Sequence, residues 1–245
     1  MPPAPTTIVL LRHGQSFGNI IDSQLVKNTI PDFSKKFLLK GDAEWPLTEL
    51  GHQQAYRAGI ALRERFPDGF DHIFCSPFVR SQQTLNNLGL GSGMFEPLLQ
   101  EQSWGQLNGP EILERIVERQ MFEREYQYNV DLRPLGGETI REVYARVSSF
   151  WQQQRNHLHG KTTLIVSHWA PLFLSRLVLN EIPLEEFSAA YCLPRPILNC
   201  QIDIYCTHSP LKNAANGWWN SSLCMEGLVC ESYPWQRLHD SSFLL

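Results

Sequence analysis

Hydrophobic and polar positions along the chain fall into short aliphatic runs separated by longer stretches of helical spacing. Residues 8–11, Ile-Val-Leu-Leu, are an unbroken apolar run, the pattern of a strand covered on both faces. "PLTELGHQQAYRAGIALRERF" follows, with Thr48 as N-cap and Leu50, Ala55, Ile60, Leu62 and Phe66 spaced through a helix. "FDHIFCSP" (70–77) predicts a short strand ended by Ser-Pro, and "VRSQQTLNNLGL" a helix that stops at Gly89. A short segment near 94–100 leads to "PEILERIVERQMFEREYQYN", helical with Pro110 at its start. "GGETIREVYARVSSFWQQQRNHL" is a helix with Val143, Val147, Phe150 and Trp151 on its buried face. "TTLIVSH" (162–168) repeats the opening pattern, an aliphatic strand running into a histidine, and "APLFLSRLVLN" returns as a helix. Two further strands are expected at 199–206 and 223–233, with Asn216-Gly217 in the loop between them.

Strands alternating with helices predict an α/β fold, a mostly parallel central sheet with helices on both faces and an antiparallel edge strand. Residues 1–245 read as a single domain. The stretch 20–45 has no clear period, which marks it as an insertion or active-site loop.

Composition narrows the function. Of the 245 residues 42% are apolar and 19% charged, an ordinary globular balance. A net charge of −4 and the lack of a basic patch argue against nucleic acid and membrane surfaces as partners, so an anionic ligand needs a locally positive pocket. No run approaches a membrane span, and "MPPAPTT" lacks the features of a secretory signal, so the cytoplasm is the expected location. The six cysteines form neither C-x-x-C pairs nor zinc-ligand spacings with histidine and are expected to be free thiols. "NSS" at Asn220 is then an idle glycosylation acceptor.

Ligands of open α/β sheets sit at the carboxyl ends of the strands. Three predicted strand ends deliver Arg12 and His13, Ser76 to Arg80, and His168 to one edge. Two guanidinium groups and two imidazoles there suit a phosphate, because arginine donors match phosphate oxygens in pairs. A histidine with one nitrogen free is also a nucleophile.

The segments "LRHGQSFGN", "PLTELGHQQA", "SPFVRSQQT", "LQEQSWGQLNG", "GGET" and "VSH" resemble, in that order, the histidine phosphatase superfamily, the phosphoglycerate mutase-like family, over roughly residues 7–205. The resemblance implies that His13 becomes a phosphohistidine, its other ring nitrogen bonded to a backbone carbonyl. It implies that Arg12, Arg80 and His168 bind the phosphate oxygens, that Asn19 reaches the phosphate, and that Glu101 is the proton donor. Arg12 and Arg80 do the neutralising that a metal does elsewhere, so no cofactor or metal is implied. Where the family has glycine after the second histidine, this chain has Trp169, which either crowds or roofs the pocket. The segments after the first motif and after the glutamate motif lack the mutase pattern, and the second of them, Phe- and Tyr-rich before "GGET", is similar to the broad-range phosphatase branch. Phosphomonoester hydrolysis of a small phosphorylated substrate is therefore expected, with a mutase and a non-catalytic phosphate-binding module as alternatives. Lys35, Lys36, Lys40 and Arg133 are weighed as contacts for a second acid group and read as surface charge. The apolar C-terminal strands leave open a homodimer edge or completion of the sheet.

Overall fold

The computed structural model describes residues 6–26, 40–108, 115–126, 128–188 and 197–206. The expected strand at 223–233, the helix start at Pro110 and Asn220 lie outside these residues. Five strands form one sheet: β1 (Thr7–Arg12), β2 (His72–Cys75), β3 (Met94–Phe95), β4 (Thr162–Ser167) and β5 (Ile202–Cys206), in the order β3-β2-β4-β1-β5. All neighbours are parallel except β5, which runs antiparallel to β1 along one edge. Among the described residues six α-helices accompany them: α1 (Phe17–Val26), α2 (Glu49–Arg65), α3 (Val79–Leu88), α4 (Ile116–Glu125), α5 (Ile140–Leu158) and α6 (Trp169–Leu179).

The aliphatic run of β1 is buried on both sides, as its continuity predicts. Ile8 and Leu10 enter one apolar cluster with Phe150, Leu172 and Leu174 of α5 and α6. Val9 and Leu11 point the other way, toward Ala55, Leu62 and Leu85 of α2 and α3. Thr48 caps α2 by accepting from the Gly51 N–H at 3.0 Å. The buried face of α2 differs from the expected one: it consists of Gly51, Ala55, Ala58, Gly59 and Leu62, while Leu50 and Ile60 are exposed. Close approach is the reason, since a Cβ at Gly59 would lie 2.1 Å from the Leu88 carbonyl oxygen at the end of α3. Gly89 ends α3 in the left-handed region, φ 63°. A capping box between Thr139 and Glu142 starts α5.

The aperiodic stretch 20–45 is in part helical. Its first residues continue α1, which begins at Phe17, and Asp42–Glu44 form a single 3₁₀ turn that leads to fully buried Trp45. Periodicity is weak here because α1 turns a polar side, Asn19 and Asp22, to a cavity.

Candidate phosphoryl-transfer site

The register of β1 and β4 pairs Arg12 with Ser167, and that of β2 and β4 pairs Cys75 with Val166, so Arg12, Ser76 and His168 emerge at one sheet edge. A cavity of about 350 Å³ opens there, lined by Arg12, His13, Asn19, Arg80 and Glu101 among others. His168 is fully buried behind it, its ring centroid 5.1 Å from that of His13.

His13 is held by its backbone and its ring. Its N–H donates to Ser167 O at 2.9 Å and its carbonyl accepts from Cys200 N at 3.2 Å. Ring Nδ1 lies 2.7 Å from Gly14 O. A carbonyl only accepts, so Nδ1 carries the proton and Nε2 keeps its lone pair. Burial, then the Arg80 and Arg12 charges, hold the imidazole pKa well below 6.5 and preserve that neutral form.

Arg12 donates to the Ile197 carbonyl through Nη1, while its Nε is buried and, among the described residues, has no acceptor. An orphaned guanidinium donor beside a cavity is the feature an anion would satisfy. Burial lowers the Arg12 pKa, with Glu101 and Asp22 opposing. Arg80 reaches the cavity from the first turn of α3, and its guanidinium lies 4.9 Å above the Phe78 ring.

His168 has both ring nitrogens occupied. Nδ1 accepts from Arg80 Nε at 3.2 Å, so Nε2 carries the hydrogen and lies 2.7 Å from Ser76 Oγ. The ring thereby braces Arg80. Asn19 lines the cavity and uses its carbonyl oxygen locally, accepting from Ser16 N at 3.1 Å and Asn199 Nδ2 at 3.0 Å.

Glu101 sits at the N-terminus of α6. Oε2 accepts from Trp169 N and Oε1 from Ala170 N, each at 3.1 Å, and Oε1 also accepts from Gln102 N at 2.9 Å. A carboxylate there answers the positive helix end. Burial nevertheless raises its pKa above 4.5, outweighing Arg80 and the Gln102 N–H. The Trp169 indole lies back on Phe173, centroids 5.1 Å apart and planes 13° from parallel, and forms part of the cavity wall.

Three supporting features were not legible from the motifs. Asp42 occupies Arg80, with Oδ1 3.1 Å from Nη1 and Oδ2 3.3 Å from Nη2. Glu138 of "GGET" accepts from Ser103 N at 2.9 Å and pairs with Arg146, which donates to Leu98 O at 2.7 Å and Glu101 O at 3.1 Å. Together they fix the loop that carries Glu101. Asp42 lies in the aperiodic stretch and carries no signal in the sequence; the spacing of Glu138 and Arg146 across the start of α5 is a faint one. Arg133 pairs with exposed Glu142 and, like exposed Lys40, is not among the cavity residues; Lys35 and Lys36 lie outside the described residues.

A mostly parallel sheet with histidines and arginines gathered at one strand edge is the plan of a phosphohistidine enzyme. The chain belongs to the histidine phosphatase superfamily (branch 1), whose family model matches residues 8–202. It is 30% identical over 191 residues to the 2,3-bisphosphoglycerate-dependent phosphoglycerate mutase of Rhizobium etli, covering 73% of this chain and 82% of that one. The Allorhizobium ampelinum mutase is 31% identical over 193 residues, with 74% and 82% covered. Among solved structures, mycobacterial glucosyl-3-phosphoglycerate phosphatase superposes with a TM-score of 0.65 at 20% identity, covering 83% of this chain and 91% of that one. Entamoeba histolytica phosphoserine phosphatase, in complex with 3-phosphoglyceric acid, gives 0.59 at 20%, covering 81% and 89%. The superfamily is enzymatic; these two curated relatives are mutases, and the two solved structures, phosphatases at 20% identity, share the fold.

Proposed function

We propose that the protein is a phosphomonoester hydrolase that works through a phosphohistidine on a small phosphorylated metabolite and needs no metal ion. The observation that carries this reading is the His13 ring, whose Nδ1 is spent on Gly14 O while Nε2 is left as a lone pair beside the orphaned Nε of Arg12. The lone pair on Nε2 attacks phosphorus, and the bond from phosphorus to the alcohol oxygen breaks. Protonated Glu101 gives its proton to the departing oxygen. Water then attacks the phosphohistidine, Glu101 takes a proton from it, phosphate leaves, and Nε2 regains its lone pair. Arg12 and Arg80 offset the charge spread over the equatorial oxygens, and His168 keeps Arg80 in place. The raised pKa of Glu101 suits a group that both gives and takes a proton.

Turnover of p-nitrophenyl phosphate, set against isomerisation of 3-phosphoglycerate, tests the reading. Hydrolysis is expected to dominate, with acid-labile, base-stable labelling of the protein that disappears in His13→Ala. The kcat of that variant should fall below about one thousandth of wild type. Isomerisation that far exceeds hydrolysis would replace the hydrolase with a mutase, the activity of the curated relatives. A wild-type protein that neither labels nor turns over any ester is a phosphate-binding module.

A further inference from the structure

Beyond the phosphate pocket the cavity continues along α1 and α4. Asp22 stands one turn past Asn19 on α1, and three residues along a helix share a face. The far wall comprises Asp22, Trp104, Asn108, Arg119, Glu123 and Tyr126. Arg119 is the cation among them, and it is committed. Nη2 pairs with Asp22 and Nε with Glu123 Oε1 at 3.0 Å. Nη1 donates to Asn108 Oδ1 at 2.9 Å and Leu107 O at 3.1 Å, which engages four of the five guanidinium N–H groups. The guanidinium carbon lies 4.8 Å from the Trp104 ring, and the side chain is 5% exposed.

Among the described residues two carboxylates share one cation at this end of the cavity; burial raises the Asp22 pKa, and the Arg119 charge opposes that rise. Asp22 Oδ2 and Glu123 Oε2 make no hydrogen bond with described residues, so each residue lines the cavity with one carboxylate oxygen still able to accept. An acid group there would meet like charge while the Arg119 guanidinium is already committed, which opposes its binding. Hydroxyl or ammonium donors would instead meet two carboxylates and an aromatic wall.

Resting on the hydrolase reading, we infer that the substrate is the phosphate monoester of a neutral or cationic alcohol, with the phosphate as its sole acid group. Arg119 is then a wall-building residue, and Asp22 and Glu123 determine specificity by repelling a second anion and accepting from donors. A phosphoglycerate, whose carboxylate must lie somewhere along this wall, is a poor fit.

Calorimetric binding of two stable analogues, benzylphosphonate and 4-carboxybenzylphosphonate, tests the inference independently of turnover. The uncharged compound is expected to bind wild type at least about tenfold more tightly. In the Asp22→Asn, Glu123→Gln double variant the gap should close, because Arg119 is released to a carboxylate. Equal or tighter binding of the carboxylated compound to wild type overturns the inference while leaving phosphohistidine formation and hydrolysis intact. Failure of both compounds to bind a protein that still hydrolyses esters overturns the inference alone. The expected preference in a protein that neither labels nor hydrolyses overturns the activity and keeps the site's selectivity.

Discussion

Asp42 holds both terminal nitrogens of Arg80, and it does so from a 3₁₀ turn that Trp45 anchors in the core. The pair is well shielded, with side-chain exposures of 5% and 17%, so the attraction is only weakly screened. A phosphate arriving beside His13 contests the same N–H groups. Asp42→Asn should therefore bind inorganic phosphate about tenfold more tightly than wild type, read as a lower inhibition constant. Unchanged or weaker inhibition would mean that the carboxylate orients Arg80 for phosphate rather than competing with it.

The pH dependence follows from burial of three groups. His13 and His168 lie well below 6.5 and Glu101 above 4.5, in each case chiefly because burial penalises the charged form. The acid limb of kcat/KM should thus fall below pH 6.5, and the alkaline limb, set by loss of the Glu101 proton, should vanish in Glu101→Gln. For stability the two histidines act together, and Glu101, with its raised folded pKa, acts against them. The folded chain keeps them neutral, so their contribution is complete above pH 6.5. It is lost as acid protonates the unfolded chain first, until the folded pKa is reached. Urea midpoints measured from pH 7.5 to about 5 should decline, and less steeply in His13→Asn.

Arg146 acts on chemistry through the loop it grips. Arg146→Met frees the Glu101 and Leu98 carbonyls and leaves Glu138 without its cation. A displaced acid matters most when the alcohol leaves poorly. The kcat of this variant should fall about tenfold on alkyl phosphates and distinctly less on p-nitrophenyl phosphate. Equal losses on both would make Arg146 a stability residue only.

Gly51 admits the Gln15 backbone. A Cβ there would lie 2.0 Å from Gln15 O, and one at Gly14 would lie 2.4 Å from Gly51 O, so the nucleophile loop and the first turn of α2 touch backbone to backbone. Gly51→Ala should cost about 2 kcal/mol or more in urea unfolding, since neither backbone can retreat without moving His13. A loss under about 0.5 kcal/mol would show that the loop is not fixed from this side.

Much of this was legible because the relevant signals are local. Unbroken runs at 8–11 and 164–166 marked strands buried on both faces, Thr48 and Gly89 marked helix ends, and the residues after each strand marked the candidate site. The face of α2 misled because the helix packs through Gly51 and Gly59, where backbone approaches backbone and the large side chains of Leu50 and Ile60 turn outward. α1 was missed because it faces a polar cavity, so its sequence carries little amphipathic period. Asp42 and Arg146 act across 38 and 45 positions of sequence, and no pattern along the chain encodes such pairings. The place of His168 was equally hidden: its strand end is plain in the sequence, but the engagement of both its nitrogens depends on Arg80 and Ser76 arriving from elsewhere.

The segment before β5 closes a clasp on the nucleophile. Cys200 N bonds the carbonyls of both Arg12 and His13, Asn199 Nδ2 bonds His13 O, and Ile197 O takes Arg12 Nη1 from 185 positions away. Without residues 197–200 the backbone carbonyls of Arg12 and His13 would lose these partners, so the place of the His13 ring depends on a segment far from it in sequence.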